Sequence, residues 1–119
     1  MGFKVLITDG LEKDGIDIIN AAGEAVNKKG IEAAELLQIV GEYDAMIVRG
    51  RTKVTKEVFE AARNLKAVGR AGVGVDNIDL QAAKEHGVTV VNAPTSTTIA
   101  VAELAFGLML ALVREIPPR

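Results

Sequence analysis

Within 119 residues, short runs of apolar and β-branched side chains alternate five times with longer segments of helical period, and this alternation is what most restricts the folds open to the chain. Strand, helix and strand in succession make neighbouring strands parallel, and a parallel sheet needs helices over both faces. The pattern predicts an α/β fold, a three-layer α/β/α sandwich around a five-stranded parallel sheet built from five βα units. The strands are read at Phe3 to Thr8, Glu24 to Val26, Ala45 to Val48, Ala67 to Gly69 and Val88 to Val91. The helices are read at Glu12 to Ala22, Glu32 to Val40, Lys56 to Arg63, Leu80 to His86 and Ile99 to Val113.

Helix ends carry the expected punctuation. The first helix turns Ile16, Ile18 and Ile19 toward one side and runs into Gly23, where a left-handed C-terminal residue is wanted. The second turns Leu36, Leu37 and Val40 inward and stops at Gly41. Thr55 and Asp79 can cap the third and fourth helices, and Gly87 can end the fourth. The fifth differs, because Glu103 is its only charge and its apolar residues cover every side. Val101, Leu104, Ala105, Leu108 and Leu112 can lie on the sheet, which leaves Phe106, Met109, Leu110 and Val113 for a second chain or a further domain. A helix buried within one domain is the other reading. Pro117 and Pro118 then terminate the helix and read as a domain boundary.

Composition removes several function classes. Fourteen basic against 16 acidic residues, a net charge of -2, leave no cationic block for nucleic acid. With no cysteine there is no disulfide, thiolate nucleophile or cysteine-based zinc site. The long apolar run, Leu104 to Val113, falls short of the roughly 18 residues that span a bilayer, so no membrane association is expected. The start lacks the pattern of a signal peptide, and a cytoplasmic location is expected.

Candidate chemistry gathers at strand ends. In Gly69-Arg70-Ala71-Gly72-Val73-Gly74-Val75-Asp76-Asn77-Ile78-Asp79, Gly72 and Gly74 let a ligand approach main-chain N–H groups ahead of a helix, or simply form a tight turn. The segment is not a dinucleotide fingerprint, since Asn77 stands where that motif needs Gly or Ala. Arg49 and Arg70 follow the third and fourth strands, so a parallel sheet sets both on its carboxyl edge as an anion clamp. Solvated surface arginines, with Arg51 and Lys53 nearby, are the alternative. His86 reads as a helix-dipole partner, the Thr95 to Thr98 run as a cap for the fifth helix, and Asp9, Asp44 and Asp76 show no metal-ligand spacing.

Val48-Arg49, Thr52-Lys53-Val54-Thr55, the stretch Val68 to Asp79, Val90-Val91-Asn92-Ala93-Pro94 and Ala102-Glu103-Leu104 together resemble the phosphoglycerate branch of the D-isomer-specific 2-hydroxyacid dehydrogenases. The resemblance covers essentially the whole chain and implies a flavodoxin-like substrate-binding domain over 1–119, with 98–116 as the interdomain helix and a dimer contact. It further implies NAD-dependent oxidation of 3-phosphoglycerate in serine biosynthesis by the full-length enzyme, with Arg49, Gly50, Arg70, Gly72 and Gly74 at the substrate and Val73 at the cofactor. Many relatives carry Ser in place of Gly50 and Asn in place of Thr97. The family's NAD fingerprint and its catalytic Arg, Glu and His match nothing here, so the Rossmann domain is expected to be absent, no cofactor is expected on these residues, and no turnover is expected. A receiver domain is disfavoured because Arg49 and Gly50 replace a phosphoacceptor aspartate, and a true flavodoxin because aromatics are only 3% of the chain. An engineered or excised flavodoxin-like unit without ligand binding is the remaining alternative.

Overall fold

A computed structural model describes residues 3–11, 13–71, 77–93 and 107. Five strands, β1 (Phe3–Ile7), β2 (Gly23–Asn27), β3 (Ala45–Val48), β4 (Ala67–Ala71) and β5 (Thr89–Ala93), alternate with α1 (Lys13–Ala22), α2 (Ala33–Ile39), α3 (Lys56–Ala61) and α4 (Leu80–Glu85). The strands form one sheet in the order β2-β1-β3-β4-β5, with every pairing parallel. The flavodoxin-like five-stranded sheet is thus present. The fifth predicted helix lies outside the described residues except for Gly107, which is helical and sits so close to Val91 that a Cβ there would be 3.5 Å from its Cγ1.

Burial explains why these segments are strands. All four residues of β3 are buried, as expected of a central parallel strand covered on both faces, whereas Glu24 and Asn27 of β2 are exposed at the sheet edge. On one face Leu6, Met46, Val48 and Val68 pack beneath Leu36, Val58, Phe59 and Ala82 from α2, α3 and α4. On the other, Val5, Ile7, Ala45, Ile47 and Ala67 cluster with Ile19 of α1. The alternation of side chains along each strand feeds both clusters, so neither face can be lost without exposing the other's backbone.

Capping follows the sequence in three places. Thr55 accepts from Val58 N–H at 3.4 Å, Asp79 accepts from Ala82 N–H at 3.0 Å, and Gly87 adopts φ +69° just beyond α4. Two glycines behave otherwise. Gly23 is not left-handed but opens β2 in register with Phe3, and a Cβ on it would lie 2.2 Å from the Phe3 carbonyl oxygen. It is there because two main chains meet, not because a helix must reverse. Gly41 likewise has no positive φ; it lies within a 3₁₀ turn, Val40–Glu42, that extends α2, and a Cβ would come 2.9 Å from the Ala61 carbonyl oxygen. Leu37, predicted inward, is 41% exposed, while Leu36 and Val40 are buried. The third helix ends at Ala61 rather than Arg63, because Ala62 leaves helical backbone at ψ 72°.

Candidate functional site

Parallel strands release their loops at a common carboxyl edge, and the strand order brings the loops after β1, β3 and β4 side by side there. Arg49 follows β3 directly. The sequence places Arg70 after β4, but it lies within that strand, because the ladder continues through Val48↔Arg70 and Arg70↔Asn92. Its residue is only 8% exposed, yet its guanidinium reaches the neighbouring loop, where a Cβ on Gly50 would be 3.9 Å from Nη2. That spacing is ordinary van der Waals contact, and Gly50 has no positive φ, so a serine there would fit. Arg49, Gly50 and Arg70 therefore share one corner. Gly72, Val73 and Gly74 lie outside the described residues.

Two residues that sequence reasoning did not single out organise this corner. Asp9, just past β1, has a side chain only 4% exposed. Its Oδ2 accepts from the backbone N–H of Arg49 at 2.8 Å and of Thr52 at 3.0 Å. Its Oδ1 accepts from Arg51 Nε at 2.9 Å and from the Thr52 hydroxyl at 2.5 Å. Burial alone would raise its pKa, but the Thr52 hydroxyl, the two amides and the Arg51 charge together outweigh burial and hold the carboxyl below the usual aspartate value. Arg51 is thereby a structural residue. Its Nη2 donates to the Thr8 and Ile31 carbonyls, both at 3.0 Å, whereas the Arg49 guanidinium has neither a hydrogen bond nor an ion pair among the described residues.

Asn77 is the second organiser. Its Nδ2 donates to the carbonyls of Arg49 and Thr52, 2.7 Å each, and its Oδ1 accepts from Arg70 Nε at 2.5 Å. Beside it, Val54 and Ile78 form an isolated parallel bridge, with Val54 N–H donating to the Asn77 carbonyl and Asp79 N–H to the Val54 carbonyl, both at 2.9 Å. The loops after β3 and β4 are consequently joined through main chain as well as side chain. The Asn77 signal in the sequence was its place in a glycine loop, but its partners, 25 and 28 residues away, follow only from the topology.

Two clefts flank the Arg51–Thr55 strip. One, of about 330 Å³, lies between α2 and α3 and is lined by Leu36, Leu37, Arg51 and Lys53. The other, of about 310 Å³, is lined by Lys53, Lys56, Asn77 and Asp79. Neither is lined by Arg49 or Arg70, although Asn77, which bonds to Arg70, borders the second. His86 ends α4 and stacks on Phe59 at 6.4 Å between ring centroids, which is a packing role. Asp44 accepts from Lys4 N–H at 2.9 Å. Among the described residues there is no group of three His, Asp or Glu side chains fit to hold a metal, and no helix long and apolar enough to cross a membrane.

Comparison with known proteins is consistent across sequence and structure. The chain is 52% identical over 114 residues to D-3-phosphoglycerate dehydrogenase of Methanocaldococcus jannaschii, covering 96% of this chain and 22% of that protein. Against hydroxypyruvate reductase of Thermotoga maritima the identity is 44% over 115 residues, covering 96% of this chain and 38% of that one. The chain thus spans about a fifth to two fifths of the length of these curated relatives. Among solved structures, a Pyrococcus horikoshii protein superposes with a TM-score of 0.75 at 30% identity, covering 98% of this chain and 35% of that chain. An NAD⁺-bound 3-phosphoglycerate dehydrogenase from Entamoeba histolytica superposes with a TM-score of 0.68 at 25% identity, covering 100% and 43%. The sequence pattern of the D-isomer specific 2-hydroxyacid dehydrogenase catalytic domain matches residues 5–112, and with that match the chain belongs to the D-isomer specific 2-hydroxyacid dehydrogenase family.

Proposed function

We propose that this chain supplies the substrate-anion half of an NAD-dependent D-2-hydroxyacid dehydrogenase, with 3-phosphoglycerate as the substrate. The observation that carries this reading is the convergence of Arg49, Gly50 and Arg70 on one corner of the carboxyl edge, where Arg51 is committed to Asp9 and two carbonyls but the Arg49 guanidinium has no partner among the described residues. Two guanidinium groups suit a substrate with an anionic group at each end, because each can meet two oxygens with paired donors. Relatives named D-3-phosphoglycerate dehydrogenase, at 52% and 49% identity, support the same substrate.

NAD, when bound, accepts the hydride from the substrate carbon. What these residues contribute is orientation, holding the charged ends so that the carbinol carbon faces the nicotinamide. Gly72 and Gly74 would take the substrate carboxylate, and Val73 would touch the cofactor. The fifth helix, 98–116, would carry a dimer contact and the link to a nucleotide-binding domain, and cytoplasmic serine biosynthesis would be the setting. The sequence holds no dinucleotide fingerprint, and the Asp9 carboxyl at this corner is committed to two amides, Arg51 and the Thr52 hydroxyl, so the chain is proposed to bind without turnover.

Calorimetry tests the reading. Titration of 3-phosphoglycerate into the chain should give measurable heat, and Arg49→Ala should weaken affinity by about tenfold or more, the loss of one charge-assisted bidentate contact. Equal affinity in the variant, silence in both proteins, or NAD-dependent oxidation above a blank by the chain itself would each contradict it.

A further inference from the structure

We propose that Asn77 is a positioning residue for substrate binding, fixing the Arg70 guanidinium against the loop that carries Arg49 so that the two cations address one ligand. The inference rests on the proposed anion-binding role of those arginines.

A carboxamide has two N–H donors and one oxygen, and here all of them have assigned partners. Both donor contacts of Asn77 go to main-chain carbonyls, those of Arg49 and Thr52 at 2.7 Å, which can only accept. The amide therefore cannot flip, because a flipped group would aim its oxygen at two carbonyl oxygens. That leaves Oδ1 facing one way, toward Arg70 Nε at 2.5 Å. Nε is the inner nitrogen of the guanidinium. A bond there sets the plane of the fork without using the Nη pair, which is the part that meets a carboxylate or phosphate bidentately.

The anchor is as informative as the bond. Asn77 is tied to the very peptide that carries Arg49, through that residue's carbonyl, and its own carbonyl is tied to Val54 N–H at 2.9 Å. The strand ladder at Val48↔Arg70 and the Val54–Ile78 bridge hold the two segments together, and one carboxamide adds to them a direct link from the Arg70 guanidinium to the Arg49 peptide. An arginine otherwise loses considerable rotamer freedom on binding a ligand; held at Nε before the ligand arrives, Arg70 has less to lose.

A double-mutant cycle with a spectroscopic readout provides the test. In the unmodified chain the Arg70 Nε–Hε resonance should be protected from solvent exchange and show coupling across the hydrogen bond to the Asn77 carboxamide carbon. In Asn77→Ala the resonance should move to the position of a freely exchanging arginine. Calorimetry with 3-phosphoglycerate should show about tenfold weaker binding in Asn77→Ala, about tenfold or more in Arg70→Ala, and little further loss in the double variant, because Asn77 acts through Arg70. Additive losses, full affinity in Asn77→Ala, or an Arg70 resonance indifferent to Asn77 would overturn the proposal. An unprotected Arg70 Hε in the unmodified chain would do so even if Asn77→Ala did not fold. If Arg49→Ala and Arg70→Ala both bind as the unmodified chain does, while the Arg70 resonance still depends on Asn77, the anion-binding reading fails instead, and the positioning purpose with it.

Discussion

Replacing Asp9 with alanine should destabilise the fold by about 3 kcal/mol, while Asp9→Asn should cost only about 1 kcal/mol. The difference comes from which oxygen does what. Oδ2 receives two backbone amides, those of Arg49 and Thr52, and Oδ1 receives Arg51 Nε and the Thr52 hydroxyl. An alanine strands two amides in a part-buried position and leaves Arg51 with only carbonyls and a hydroxyl as acceptors. Arg51 itself is about half exposed, so water offsets that part of the loss, and the stranded amides dominate. An asparagine can point its oxygen at the amides and its NH₂ at the Thr52 hydroxyl, losing chiefly the Arg51 pair. Urea midpoints for the three proteins at neutral pH check the ranking, and equal losses in the two variants would show that charge rather than amide capping matters.

The same carboxyl gives a pH signature. Its folded-state pKa is depressed, so its contribution is fully present above the unfolded aspartate value and is lost as pH falls through the lower folded value. Asp9→Asn cannot titrate there. The stability gap between the unmodified chain and Asp9→Asn should therefore be widest near neutrality and shrink on acidification below about pH 4; a gap that grew in acid would reverse the sign argued here.

Gly23→Ala is the second substitution with a large expected effect, about 3 kcal/mol. Its mechanism is overlap. A methyl at this position would fall 2.2 Å from the Phe3 carbonyl oxygen and 2.6 Å from its nitrogen, and both are backbone atoms of the strand paired with it, so β1 and β2 must part. Gly87→Ala makes a useful contrast. At φ +69° with nothing within 4 Å, its cost is backbone strain alone, about 1 kcal/mol. Thermal or urea unfolding of the two variants should separate them by about 2 kcal/mol, and a smaller loss in Gly23→Ala than in Gly87→Ala would refute the close-approach account.

Much of this architecture is legible from periodicity, because a buried parallel strand such as Ala45–Val48 needs four apolar residues in a row and a helix such as Leu80–Glu85 announces both its cap and its exit. Glycines at helix ends are harder to interpret. Gly23 and Gly87 occupy the same place in the one-dimensional pattern, yet one relieves a clash between neighbouring strands and the other a backbone angle, and only the strand pairing distinguishes them. Leu37 turns outward because consecutive helical residues point about 100° apart, so with Leu36 and Val40 on the core side, one turn apart, Leu37 falls at the margin of the stripe.

The candidate site was half legible. Arg49 and Arg70 could be placed on one edge once the sheet was taken as parallel, and their side chains invite anions by type. Asp9 carried no such signal, since its partners lie 40 to 43 residues on, and their proximity depends on β1 standing next to β3 in the sheet. Asn77 was visible only as a departure from a glycine motif. Its importance comes from a carbonyl of residue 49, and main-chain acceptors leave no trace in side-chain chemistry.

The Val54–Ile78 bridge has a bearing on how such a chain can change over generations. Because two crossings are stitched together there, an inserted or deleted residue in either one drags the other out of alignment, and the loops beside both arginines shift at once. Diversification of ligand preference in this lineage would then proceed by swapping side chains on a frozen frame, with length variation pushed to places such as the Gly87 bend, where nothing on the far side is waiting to be met.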